Sequence, residues 1–300
     1  MARNSFCLDV DRIIKVLVKG NYDFNTMNIN TPLTLQEIKD TELNILLEFQ
    51  KICDKNNLTF YLCGGSLLGA IRHKGFIPWD DDIDICMTRP EYDRLTLLAR
   101  ENKLDKPDWL EIVCYENGTS RFPFIKVLDK RTWVESDFFK SCEYDNLWID
   151  LLPVDGIPNS EEETKLLYKK MFRYRKLVQM KYVRPFKAKS LVKAVTKPFL
   201  YLFAHIINTD KYNIKLVSAA RANAYETSNL VGIVTEGLYG VKEAIPKKAY
   251  EKSIDVEFEG HTFKATSYWN EYLTNLFGDY MTLPPEDKRK THSMQAYKIK

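Results

Sequence analysis

Histidine and cysteine are scarce in this chain, at four and six of 300 residues. The cysteines (Cys7, Cys53, Cys63, Cys86, Cys114, Cys142) form no CxxC pair and mostly lie among apolar neighbours. That is the habit of reduced core residues, and it suggests neither a zinc site nor a disulfide framework. Excess charge is missing too: 44 basic residues against 41 acidic ones leave a net charge of +3, which argues against a dedicated nucleic-acid binder. No apolar run reaches the roughly 18 residues that a membrane-spanning helix needs. The most apolar stretch, Pro198 to Ile207, is ten residues long and contains His205, which is read as structural. Met1 to Val10 carries Arg3 and Asp9 without an apolar export segment, so the expected location is cytoplasmic. Internal repeats and low-complexity tracts are absent as well.

What is present is a mixed α/β pattern. An irregular lead-in occupies 1–33. Thr34 and Glu37 then form a capping box for a helix whose apolar face runs through Leu35, Ile38, Leu46, Phe49 and Cys53 to an end near Asn56-Asn57. Leu58 to Cys63 reads as a short strand, with Ser66 capping a short helix to about Arg72. Ile83 to Met87 reads as a strand leading into a helix opened by Thr88, Pro90 and Glu91. Further strands are expected at 110–115, 122–128, 132–136 and 147–152. From Lys165 to Lys197 there are twelve Lys or Arg and no acidic residue. A hairpin is expected at 254–258 and 261–265 with its turn at Glu259-Gly260, then a helix over Trp269 to Phe277 stopped by Gly278, then a polar tail. The sequence thus predicts one domain over 34–300, with a core (34–158), a basic helical insertion (159–217) and a C-terminal closing segment (218–300).

The densest chemistry lies between Leu62 and Met87. A strand end is followed by Gly64-Gly65-Ser66, by the basic cluster Arg72-His73-Lys74, and by Trp79-Asp80-Asp81-Asp82-Ile83-Asp84. Two carboxylates about 4 Å apart repel by roughly 4 kcal/mol at an effective dielectric near 20, so such a cluster needs a cation or several donors. Strand alternation sets Asp82 and Asp84 on one face and Ile83 and Ile85 in the core, placing two oxygen ligands side by side for a divalent ion, Mg²⁺ or Mn²⁺. A solvated acidic loop would have no reason to interleave isoleucines. An EF-hand fits Asp80, Asp82, Asp84 and Glu91 but fails at Ile85, where the loop requires glycine. A P-loop fails because Ala70-Ile71 follows Gly69 in place of Lys-Ser/Thr. His73 is open between a phosphate contact and a surface histidine.

Strand, Gly-Gly-Ser, short helix, then Asp-apolar-Asp-apolar on the next strand resembles the nucleotidyltransferase fold, in which backbone amides and a serine hold phosphates opposite a metal-bound carboxylate pair. The longer spacing seen here, CGGSLLGAIRHKGFIPWDDDIDI, closely resembles the hallmark of the LicD family, which includes bacterial phosphorylcholine transferases and, more distantly, fukutin and the fukutin-related protein. Ile149-Asp150-Leu151 resembles the family's third carboxylate strand, followed by Pro153-Val154-Asp155-Gly156. Lys126 with Asp129 matches a Lys-x-x-Asp strand. Gly278-Asp279-Tyr280-Met281, Leu283-Pro284-Pro285, Arg289 and His292 match a C-terminal signature.

The resemblance implies an α/β, nucleotidyltransferase-like mixed sheet with a helical insertion and a C-terminal segment. It also implies transfer of a phosphorylated alcohol, phosphocholine above all, from a CDP-linked donor to a hydroxyl of a surface glycan such as a lipopolysaccharide or teichoic-acid precursor, releasing CMP. Asp82, Asp84 and Asp150 are the expected metal ligands, with Asp150 alternatively a general base and Asp155 a turn or supporting residue. Gly64, Gly65, Ser66, Arg72, His73, Lys74, Lys126, Arg289 and His292 are the expected donor contacts. Nucleotidyl transfer and a catalytically silent glycan- or nucleotide-binding protein are the alternatives. The basic zone with Phe199 to Phe203 is expected either to present a solvated face or to bring the enzyme to a membrane carrying a lipid-linked acceptor.

Overall fold

A computed structural model describes residues 29–120, 122–136, 145–182, 210–289 and 294–299. The second half of the basic zone, with Lys187, Lys189, Lys193, Lys197 and Phe199 to Phe203, lies outside the described residues, as does His292. Among the described residues no helix is long and apolar enough to cross a membrane.

The fold is a mixed sheet with helices packed on it. In order come β1 (Ile29–Pro32), α1 (Leu35–Lys55), β2 (Tyr61–Leu62), α2 (Gly64–His73), β3 (Asp84–Thr88), α3 (Arg89–Arg100), β4 (Leu110–Val113), β5 (Ile125–Asp129), β6 (Thr132–Ser136) and β7 (Leu147–Ile157). There follow α4 (Glu161–Tyr182), α5 (Asp210–Ala220), β8 (Leu230–Ile233), β9 (Ile245–Pro246), β10 (Ser253–Phe258), β11 (His261–Thr266), α6 (Trp269–Phe277) and β12 (Met294–Ile299). The main sheet runs β2-β3-β7-β5-β4, with β8 paired to the far end of β7 and β9 to β8. Among the described strands of this sheet only β3 and β7 pair in parallel; the other partners are antiparallel.

Local signals place several elements as expected. Thr34 Oγ1 accepts the Glu37 N–H while Glu37 returns a carboxylate oxygen to the Thr34 N–H, which closes the capping box and starts α1. The helix buries Ile38, Ile45, Leu46, Phe49, Ile52 and Cys53, but Leu35, its first residue, is 37% exposed. The hairpin turn forms at Glu259-Gly260 with positive φ at both residues, and Gly278, also at positive φ, ends α6.

Four expectations are corrected. Ile29–Pro32, at the end of the predicted irregular lead-in, is a strand, and the predicted polar tail contains another, β12. These pair with each other, and β12 pairs with β6, making a small second sheet from distant segments. The strand read over Leu58 to Cys63 shrinks to two ladder residues. Asp155 is in no turn, because β7 continues through it, paired opposite Gly232 of β8.

The described part of the basic zone is α4. Its inward face buries Thr164, Tyr168, Met171, Arg175 and Val178, with Tyr168, Met171 and Val178 clustered with Leu216, Ala219 and Ala220 of α5, while Lys165, Lys169, Lys170, Arg173 and Lys176 stand on the exposed face.

Candidate active site

The site starts where β2 runs into α2. Gly64 has φ of 51°, in the left-handed region, and turns the chain directly from strand into helix. A Cβ on Gly64 would stand 3.2 Å from Asp84 Oδ2, and one on Gly65 3.0 Å from Asp80 Oδ2, so the missing side chains let carboxylates close on the turn. Cys63 caps α2 with no side-chain hydrogen bond, leaving backbone amides of the first turn to favour an anion. Ser66 was expected as the cap. The early turn at Gly64 puts it inside the helix instead, buried, with Oγ accepting the Asp84 N–H at 2.8 Å. It thereby ties the glycine turn to β3. The Gly64 N–H donates to the hydroxyl of Tyr272, a buried α6 residue without a counterpart in the sequence reading.

The carboxylates come from two strands. Asp84 lies directly beside Asp150 in the parallel register of β3 and β7, so both side chains emerge on one face. The regular strand begins at Asp84, which leaves Asp82 in the extended approach to it, yet Ile83 and Ile85 are fully buried and Asp82 and Asp84 half-buried, as alternation requires. Asp150 is opposite Lys126 on β5, and the two form an ion pair of 3.0 Å. The Lys126 ammonium also lies over the rings of Trp148 (3.8 Å), Phe122 (4.6 Å) and Phe124 (5.7 Å), so this buried cation is fixed by stacking as well as charge.

Beneath the aspartate loop runs α1. Lys39 and Glu42, one turn apart, are both buried. The Lys39 ammonium donates to the carbonyls of Ile77 and Pro78, each at 3.2 Å. Burial pushes its pKa down while Asp80, Glu259 and Asp81 push it back up. Burial pushes the Glu42 carboxyl well above the usual carboxylate range, and the charges of Asp82, Asp81, Asp150 and Asp80 add to it in that order. Neither residue was singled out from sequence. The available signal was their position: charged side chains on the buried stripe between Ile38 and Leu46.

The basic cluster is not at the glycine turn. Roughly 10 Å of helix rise separates Gly65 from Arg72. Arg72 donates to His73 Nε2 at 2.9 Å and to the Tyr280 carbonyl at 2.6 Å, and Lys74, exposed and left-handed, caps α2. The His73 ring meets Trp79 edge-on, and the Arg289 guanidinium lies 4.9 Å over the other ring system of that pair, Trp79. Arg72, His73 and Arg289 are therefore gathered around Trp79, where the C-terminal segment closes on the loop that returns to Asp80. Burial, then the neighbouring Arg72, holds His73 below the ordinary histidine range.

A further wall went unread in the sequence. Glu236, after β8, pairs with the buried Arg175 of α4 at 3.3 Å, and burial raises its carboxyl to about 7, with Asp150 also raising it. Burial takes Glu243 to about 8. Between them, Leu238 is 75% exposed and Tyr239 packs edge-on against Phe277.

Every acidic group facing the glycine turn offers oxygen, the donor set of a hard divalent cation. A buried oxygen of Glu42 without a hydrogen-bond partner fits such a group. Among the described residues no three His, Cys, Asp or Glu side chains are arranged to enclose an ion, and Asp150 is turned to Lys126. The residues thus fit a cation bound from one side rather than an enclosed structural metal.

Residues 57–176, which contain the glycine turn, the aspartate loop, Lys126 and Asp150, match the family described as LicD/FKTN/FKRP, nucleotidyltransferase domain. The chain is 31% identical over 268 residues to the lipopolysaccharide cholinephosphotransferase LicD of Haemophilus influenzae, covering 88% of this chain and 97% of that one. Shorter matches join it to uncharacterized proteins of Rickettsia typhi (30% identity, 33% of this chain and 35% of the relative) and Rickettsia prowazekii (25% identity, 32% and 41%). A relative matched nearly end to end, together with a domain match that spans the turn and both carboxylate strands, places the chain in the LicD family.

Proposed function

We propose that this protein transfers phosphocholine from a CDP-activated donor to a hydroxyl of a lipopolysaccharide-type glycan, releasing CMP. The observation that carries the reading is the juxtaposition of Asp84 and Asp150, in register beneath the Gly64-Gly65 turn, in a chain related over its length to a cholinephosphotransferase. Asp82 and Asp84 would hold Mg²⁺ or Mn²⁺, which when bound supplies Lewis-acid stabilisation of charge on the diphosphate.

The chain's own groups do the rest. The amides of the α2 first turn, with Ser66, cradle phosphate oxygens. Asp150, held in place by Lys126, takes the proton of the acceptor hydroxyl as its oxygen bonds to the choline phosphorus and the bond from that phosphorus to the CMP oxygen breaks. Arg72, His73 and Arg289 around Trp79 form a second anion-attracting patch for the donor or the glycan, and Lys126 adds positive charge beside the reacting phosphorus. Positioning and charge stabilisation carry most of the rate. The Leu238–Tyr239 rim receives the acceptor, and a lipid-linked acceptor would bring the enzyme to a membrane surface.

The test is a donor screen with CDP-choline, CDP-ribitol and CDP-glycerol, with Mg²⁺ or Mn²⁺ and a lipopolysaccharide acceptor, following CMP release. CDP-choline labelled in the choline phosphate should label the glycan; label arriving from the cytidine instead would mean nucleotidyl transfer. An absence of metal-dependent turnover with any donor would favour a binding protein.

A further inference from the structure

Glu42 lies outside every motif that singled out this site, yet the fold drives it into the site's floor. It is 1% exposed, on the face of α1 whose preceding turn is anchored by Lys39 to the carbonyls of Ile77 and Pro78, at the base of the aspartate loop. The same helix packs against β7, the strand that carries Asp150. Of the charges acting on Glu42, the largest is that of Asp82. Its Oε2 is buried and has no hydrogen-bond partner, a cost that a bound group offering a donor would relieve. A neutral side chain would fill this position at lower cost, since a carboxyl is the least favourable group to set beside other carboxylates. A hydrated divalent cation removes the conflict: magnesium and manganese keep several waters, and carboxyls around the first ligands accept hydrogen bonds from them.

We infer that Glu42 is a functional carboxyl of the cation site, contributed by α1 from beneath, with its orphaned oxygen partnered when a hydrated divalent cation is held at Asp82 and Asp84. This rests on the cation reading given above. It deepens that reading by assigning a residue from an element that none of the motifs includes.

The test is Mn²⁺ titration of the purified full-length protein, read by the loss of the free-ion electron paramagnetic resonance signal, alongside thermal melting in EDTA. Glu42→Gln should weaken Mn²⁺ binding tenfold or more, as removal of a supporting carboxyl does in other metal sites. The metal-free variant should melt at or above the wild-type temperature. Mn²⁺ affinity within twofold of wild type, whatever the melting temperature, would overturn the inference. If Gln prevents folding, Glu42→Asp, which keeps the charge and withdraws the carboxyl by one methylene, is read the same way: at least threefold weaker binding supports the role and unchanged binding refutes it. An Asp82→Asn/Asp84→Asn double variant separates the two readings. If it loses Mn²⁺ while Glu42→Gln keeps it, the Glu42 role alone falls. If wild type binds no Mn²⁺, or the double variant binds as wild type does, the cation reading falls and Glu42 with it.

Discussion

The two ends of the β3–β7 pair hold charge in opposite ways. At the start of β3, Asp84 is beside Asp150, and Asp80, Asp81, Asp82 and Glu42 crowd the same region, with Lys39 and Lys126 as the nearby lysines. Just past its other end, Arg89 grips Asp155 with two hydrogen bonds of 2.6 and 3.0 Å. Arg89 also approaches Asp93, which takes two 2.7 Å bonds from Arg221, and Arg221 in turn reaches Glu116. There each carboxylate meets a guanidinium. Burial pushes the Asp155 carboxyl up and Arg89 pulls it back. This network of ion pairs, buried at Arg89 and Asp155, ties α3, β7 and the end of α5 together. At the other end Asp84 and Asp150 set two carboxyls side by side next to the glycine turn, and it is this end that the proposed chemistry uses. One strand pair therefore carries a structural end and a chemical end.

The comparison can be broken most severely at the chemical end. Asp84→Ala should lower donor turnover by roughly 10³-fold or more, equivalent to the several kcal/mol of charge stabilisation a bound metal supplies. Metal-free stability should hold or rise, because a like charge is removed. CMP release and melting in EDTA check both halves, and near-normal turnover would sink the assignment. At the structural end the pattern should invert. Asp155→Ala strands Arg89 and should cost about 3–5 kcal/mol in urea unfolding, whereas Arg89→Met with Asp155→Leu should recover most of that loss. Equal destabilisation by the single and double changes would show that the pair is not the source.

Asp150→Asn sharpens the distinction, since Asp150 belongs to the chemical end yet has a lysine partner. Turnover should fall by about 10²-fold with donor affinity changed less. A loss confined to donor binding would reject the base role. Glu243 gives a weaker, pH-dependent signal. Its folded carboxyl holds a proton up to about pH 8 against an ordinary value of 4.5. Its contribution to stability is therefore complete below about pH 4.5 and is lost as pH rises towards 8. Glu243→Gln should flatten that slope, with its largest gain over wild type near pH 8 and little difference at pH 4.5. Parallel melting curves across that range would exclude it. The smallest effect is expected at the α1 cap, remote from both ends. Thr34→Ala should cost about 1 kcal/mol in thermal melts and leave turnover unchanged.

How far these regions could be read in advance follows from the range of the interactions that make them. The α1 cap, the Glu259-Gly260 turn and the stop at Gly278 depend on neighbours within a few residues, so residue type and spacing suffice. Interleaved isoleucines reveal Asp82 and Asp84 for the same reason. The strand at Met294–Ile299 looks like polar tail, since its partner β6 is more than 150 residues away and only pairing makes it a strand. Ser66 reads as a cap because the pattern cannot show that Gly64 turns the chain two residues sooner. His73 and Arg72 read as neighbours of the glycine turn, but a helix lies between them and they gather instead with Arg289 around Trp79.

By itself the sequence determined the aspartate cluster, the glycine turn that faces it and the family resemblance, because those are properties of short contiguous runs. Only the tertiary structure decided that Asp84 stands beside Asp150, that Lys126 pairs with Asp150, and that Glu42 lies under the loop. Each of those depends on strand register or helix docking, where a shift of one residue turns a side chain to the opposite face.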